Sequence, residues 1–136
     1  MNETINAKKY LNLYISTLFI FSVFYLHGKY NVGNDSTISE WLINYEGGFT
    51  KRGLIGQIAI NFSELFNYSL RESIFFFQVL SIATYYLLLI SFFRSIKFNK
   101  LILLAIFTPI FLLYPVAEIE VLGRKEIIIF SFYLIY

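Results

Sequence analysis

Residues 73–93, SIFFFQVLSIATYYLLLISFF, run for 21 positions without a single charge. As a helix rising 1.5 Å per residue the run covers about 32 Å, the thickness of a bilayer's hydrocarbon core. A run of this kind is the signature of a membrane span. Two more apolar runs bracket it. Residues 10–27, YLNLYISTLFIFSVFYLH, number 18 and reach about 27 Å. Residues 101–117, LILLAIFTPIFLLYPVA, form the third run and carry Pro109 and Pro115, which predict a kink near 105–111. A bent packing helix and a gate both fit such a kink.

Composition agrees with the runs. The chain is 57% hydrophobic and only 15% charged, where a soluble domain carries about 25% charge. A cleavable signal peptide is the alternative for residues 10–27, but its apolar core would be only about 7–15 residues and a small-x-small cleavage site would follow. The segment HGKYNVGN after His27 offers no such site. The expected fold class is therefore all-α, a multi-pass transmembrane helical bundle forming one membrane domain over 1–136.

Lys and Arg set the expected orientation, because short cytoplasmic loops collect them. Lys8 and Lys9 precede the first run, and Arg94, Lys97 and Lys100 fill the loop between the second and third with no acid among them. Both regions are expected on the cytoplasmic side of the inner membrane, with the amino terminus inside. Segment 28–72 holds four basic and five acidic residues and is expected outside. Segment 118–126, with three acids and two bases, is expected on that same side.

The last apolar run, 127–136, is IIIFSFYLIY. As a helix its ten residues span about 15 Å. Its terminal carbonyls and carboxylate would sit in hydrocarbon, where each unsatisfied group costs several kcal/mol. The expectation is three complete spans and a truncated fourth, in a fragment whose remaining spans, or a partner membrane protein, cover that end.

Segment 28–72 is 45 residues long, too long for a structureless loop in a compact fold. Thr37-Ile-Ser-Glu40 fits a capping box, in which two side chains satisfy free backbone donors. It predicts a short helix over 38–46, stopped by Gly47 and Gly48, with Trp41 and Tyr45 on one face at the headgroup level. A second helix is predicted over 53–66, with Leu54, Ile55, Ile58, Phe62, Leu65 and Phe66 as an apolar stripe and Gln57, Asn61 and Glu64 opposite. An amphipathic helix beside a span lies in the interface or caps the bundle from outside.

Two polar stretches remain. In NYEGGFTKRGLIG, residues 44–56, Lys51 and Arg52 open the second helix, where the dipole repels cations. A bound anion reverses that sign, since free N–H groups and both cations would point at it. A phosphate or diphosphate site is one reading, and a pair snorkelling to lipid phosphates is the other. In EIEVLGRKE, residues 118–126, Arg124 and Lys125 add two cations. Asp35, Glu40, Glu118 and Glu120 are the candidate acid or base groups. A transferase using a lipid diphosphate needs cations for the leaving group and a carboxylate to deprotonate the acceptor hydroxyl. Mutual pairing of these charges in a short loop is the plainer reading.

Other classes are excluded. There is no cysteine and one histidine, His27, so neither a disulfide nor a Cys/His metal set exists. No P-loop or dinucleotide fingerprint appears, and the basic residues are not clustered as nucleic-acid binders require. No cofactor is implied, with a divalent cation left open. Membrane lipid and a polyprenyl-linked sugar are the partners such a site implies.

The Asn-Tyr-x-Gly-Gly-Phe-x-Lys-Arg-Gly-Leu-x-Gly stretch, together with Gly-Arg-Lys-Glu before the last apolar run, resembles multi-pass membrane proteins of bacterial surface-polysaccharide clusters. Their architecture is similar to polyprenyl-phosphate-dependent glycosyltransferases and O-antigen or capsule polymerases. The resemblance covers 40–60 and 115–127 and implies transfer or polymerisation of lipid-linked sugars at the outer face. Such enzymes carry an acidic pair early in the first outer loop. Here the nearest match is Asp35 and Glu40, five positions apart. A transporter or flippase fragment, or a small scaffold subunit, is the non-enzymatic alternative.

Overall fold

Lys8 and Arg94 meet at one end of the molecule, and this contact sets the direction of everything else. The Lys8 Nζ donates to the Arg94 carbonyl at 2.9 Å. Lys8 lies on α1 (Asn2–Val32) and Arg94 on the last turn of α4 (Leu70–Ser95). At the other end the Tyr30 and Phe75 rings pack at 5.1 Å, with the Arg71 guanidinium over Tyr30. The two long helices are therefore antiparallel. The computed structural model describes residues 2–32, 36–50, 53–96, 101–102, 106 and 118–135. All regular structure among them is helical.

Both long helices, over Lys8–Val32 and Leu70–Ser95, are long and apolar enough to cross a membrane. Each exceeds the run read from the sequence, because helix continues past the last apolar residue. Several of their hydroxyls are satisfied within the same helix. Thr17 and Thr84 donate to the carbonyls four residues back, as does Ser131 further along the chain. Ser22 does the same toward Leu18 at 2.7 Å. Its single proton is thus committed, so the Tyr86 hydroxyl, 3.0 Å away, donates to it. This polar pair lies in a core of Leu11, Ile15, Leu26, Ile82, Leu89 and Phe93.

Between them come α2 (Ser36–Trp41) and α3 (Gly53–Phe66). Helix α3 has the limits expected from the sequence. It stops on Asn67, which takes a left-handed φ of 53°, and Tyr68 N–H returns to the Ser63 carbonyl at 3.0 Å. Asparagine tolerates this conformation better than most residues, and the returning bond satisfies an orphan carbonyl. Ser69 and Glu72 then form a full capping box that starts α4. Such a cap contributes about 1 kcal/mol.

Helix α2 differs from expectation. It ends at Trp41, not at 46, and Trp41 itself is buried with its indole bonded to another part of the chain. Thr37 lies inside the helix rather than ahead of it, so the Thr37–Glu40 capping box does not form. Gly48 does take a positive φ of 114°, but in a turn closed by its N–H on the Tyr45 carbonyl rather than at a helix end.

After Glu118 come α5 (Ile119–Gly123) and α6 (Glu126–Ile135). Helix α6 runs parallel to α4: the groove between them is lined by Leu80, Thr84 and Leu88 on one side and Ile128, Phe132 and Ile135 on the other. With 10 residues, α6 is the short fourth run. Of the third expected span, 101–117, only Leu101, Ile102 and Ile106 are described, and Ile106 is buried in the core. The expected kink and both prolines lie outside the described residues.

Candidate functional site

The segment that carries Glu40, Trp41 and Ile43 meets the 118–126 stretch in space. The last carbonyl of a helix has no partner within it, and at Gly123 that carbonyl accepts two side-chain donors. Trp41 Nε1 lies 2.7 Å from it and Gln78 Nε2 lies 2.8 Å from it. Both bonds are buried, and together they use both lone pairs of the oxygen. Helices α2, α4 and α5 are thus tied at one atom. Gly123 suits the close packing here, because a Cβ there would stand 3.0 Å from the Thr37 methyl and that side chain would have to give way by a few tenths of an ångström.

This tie places the charged residues. Arg124 follows Gly123 directly and lies between two carboxylates. Its Nε is 3.8 Å from Glu40 Oε1, and its Nη2 is 3.4 Å from Glu120 Oε2. Charge-assisted hydrogen bonds run at about 2.7–2.9 Å, so both contacts are loose. The Nε is shielded from solvent yet has no hydrogen-bond acceptor. The guanidinium is held by Coulomb attraction and not by a closed fork, while about a third of its side-chain surface stays open. Lys125 reaches back to the Ile43 carbonyl at 3.5 Å, on the same connecting segment.

Glu40, Glu120, Arg124 and Lys125 are therefore gathered around the α2–α5 contact. Glu118 stands exposed at the start of α5, whose backbone turn it closes through Val121 N–H at 2.8 Å. Asp35, Lys51 and Arg52 lie outside the described residues. No group of three or more His, Asp or Glu side chains suited to a metal ion occurs among the described residues.

Helix α3 supports the same junction from behind. Its buried residues are Gly53, Gly56, Ala59 and Ser63. A Cβ on Gly56 would overlap the Ile43 carbonyl oxygen, and one on Gly53 would enter the Tyr45 ring. Gly53 and Gly56 thus let α3 lie against the segment that carries Trp41. The bulky apolar stripe read from the sequence faces largely away: Leu54, Ile58, Leu65 and Phe66 are exposed. Trp41, expected at the headgroup level, has no exposed surface at all.

Sequence reasoning missed Gln78, Gly123 and the anchoring role of Trp41. One signal was available, since Gln78 is the single amide within 73–93. An amide in an otherwise apolar span needs a partner inside the protein. Comparison of the chain with known protein families, with curated proteins and with solved structures finds no match.

Proposed function

We propose that this chain forms part of a multi-pass membrane enzyme that transfers or polymerises lipid-linked sugars at the outer face of the bacterial inner membrane. The observation that carries the reading is the loosely held Arg124 between Glu40 and Glu120, where α2 meets the 118–126 stretch. A guanidinium that is placed but not saturated can turn its donors to a diphosphate leaving group. A carboxylate beside it, Glu40 or Glu120, can take the proton of an acceptor hydroxyl. Lys125, Lys51 and Arg52 are the further cations for the diphosphate, with Asp35 and Glu118 as the remaining acidic candidates.

The membrane setting is supported by exposed apolar side chains along the long helices. Leu13, Ile20, Phe21, Phe24 and Leu87 all face outward, a surface too apolar for water. With Lys8 and Arg94 at the cytoplasmic end, the Gly123 junction lies at the outer end. The test is Arg124→Ala and Arg52→Ala in cells. Surface polymer is lost in both variants while the protein remains inserted. Normal polymer in both removes the reading.

A second reading has its own observation. Arg124 faces two acids, which already cancel its charge, and the Gly123 carbonyl is fully satisfied. This is how a structural clasp in a non-catalytic transporter fragment, flippase or scaffold would look. The reciprocal change Glu40→Arg with Arg124→Glu separates the two. A clasp is restored by the exchange, whereas a diphosphate site is not.

A further inference from the structure

The composition of α3 divides three ways, not two. At 3.6 residues per turn, Gly53, Gly56, Ala59 and Ser63 fall in one sector, Gln57, Asn61 and Glu64 in a second, and Leu54, Ile58 and Leu65 in a third. The polar sector lies about 75° from the apolar one and about 115° from the small one, which leaves the apolar and small sectors on opposite sides of the helix. The small sector is buried against the protein. In the polar sector Gln57 donates to Asn61 and accepts from the Tyr45 N–H, while Asn61 and Glu64 are exposed. The apolar sector is also exposed, with Leu54 at 61% and Leu65 at 75%.

The level of α3 is fixed by one bond. Ser73 Oγ donates to the Ala59 carbonyl at 2.9 Å. Ser73 is 21 residues from Arg94 along α4, about 32 Å of helix. A tilt of about 20° reduces that to about 30 Å, the depth of the hydrocarbon core. With Lys8 and Arg94 at one edge of that core, the middle of α3 sits at the other. The apolar sector is also continuous with the outward surface of α4. Phe62 stacks on Phe76 at 5.3 Å, and Phe66 stacks on Tyr68 at its flank. Phe76 and Leu80 carry the exposed apolar surface on down α4.

We infer that α3 lies in the plane of the membrane edge remote from Lys8 and Arg94, with its apolar sector on the acyl chains of that leaflet. Its polar sector faces water and its small sector leans on the bundle. A two-faced amphipathic helix has no face left for the protein, whereas this helix keeps one for each of its three neighbours. The inference rests on the membrane reading above. It makes α3 a float that holds the Trp41–Gly123 junction at headgroup depth, where the phosphates of lipid-linked substrates lie.

The chain has no cysteine, so single cysteines report cleanly. The full chain is placed in phosphatidylcholine vesicles with cysteine at Leu54, Ile58, Leu65, Asn61, Glu64 or, as mid-span reference, Leu87. A water-soluble maleimide and lipids spin-labelled at shallow or deep acyl positions are the probes. Maleimide reactivity is lost at 54, 58 and 65 and kept at 61 and 64. A fluorophore at 54, 58 or 65 is quenched best by the shallow label and equally at all three, and one at 87 best by the deep label. Reactive cysteines at 54, 58 and 65 with a protected 87 overturn the inference and leave the membrane reading intact. Depth graded from 65 to 54 overturns it too, since α3 would then plunge rather than lie flat. A maleimide-reactive 87 overturns the membrane reading, and the inference with it.

Discussion

The Trp41 indole N–H donates to the Gly123 carbonyl at 2.7 Å across 82 positions of chain. Gln78 donates to the same oxygen. The two donors back each other up, and this predicts non-additivity. Gln78→Leu leaves the carbonyl with Trp41 and costs about 1 kcal/mol. Trp41→Phe keeps most of the ring volume and leaves Gln78 in place, at a similar cost. The double variant strands a buried carbonyl and costs about 1–3 kcal/mol beyond the sum of the singles. Thermal unfolding in detergent of the four proteins measures it.

Gly56 and Gly28 should answer oppositely to alanine. A Cβ at Gly56 would meet the Ile43 and Trp41 carbonyl oxygens, which are backbone and cannot swing aside. Gly56→Ala is expected to cost about 1–3 kcal/mol, in the range of core overpacking. Gly28, inside α1, has open space around it. Gly28→Ala should be neutral or stabilising by up to about 1 kcal/mol, because alanine is the better helix former. The shift in melting temperature of each variant gives the sign.

The Ser22–Tyr86 pair makes an asymmetric prediction. Tyr86→Phe removes the donor and leaves Ser22 bonded to Leu18, so it costs about 0.6 kcal/mol, typical of polar contacts between membrane helices. Ser22→Ala strands the Tyr86 hydroxyl in an apolar core and costs more, about 1–3 kcal/mol. Equal effects from the two changes would mean that the hydroxyl finds another acceptor.

The Ser69–Glu72 capping box fixes where α4 begins. Ser69→Ala is expected to cost about 1 kcal/mol, and Ser69→Asp, another good cap, should restore most of it. Hydrogen exchange at residues 70–73 reads the fraying directly.

The helical class, the two long helices and the limits of α3 were legible because long charge-free runs and 3.6-residue periodicity are local signals. The start of α4 was missed, although Ser69-Leu-Arg-Glu72 satisfies the same capping rule as Thr37–Glu40 and precedes the clearest apolar run. The rule alone did not choose between the two, since Thr37 is drawn into the helix by its packing under Gly123. The burial of Trp41 was not legible at all, because its partner is 82 residues away and no local pattern announces it. The face by which α3 meets the protein was not legible for a related reason: the apolar stripe was apparent, but only the close approach of the Trp41 and Ile43 carbonyls makes Gly56 and other small residues the contact face. Among the candidate site residues, Glu40, Glu120, Arg124 and Lys125 were recognisable by type, while their convergence came from the Gly123 tie.

The measurement that tests the account most directly is sugar incorporation by isolated membranes supplied with labelled polyprenyl-diphosphate-linked sugar. Membranes holding matched amounts of the wild-type and Arg124→Ala proteins are compared. Wild-type membranes are expected to build polymer and the Arg124→Ala membranes to lose this activity, with no recovery in the Glu40→Arg, Arg124→Glu exchange. Equal incorporation by the wild-type and Arg124→Ala membranes, or full recovery in the exchange, would contradict the enzyme reading and leave the junction as a clasp.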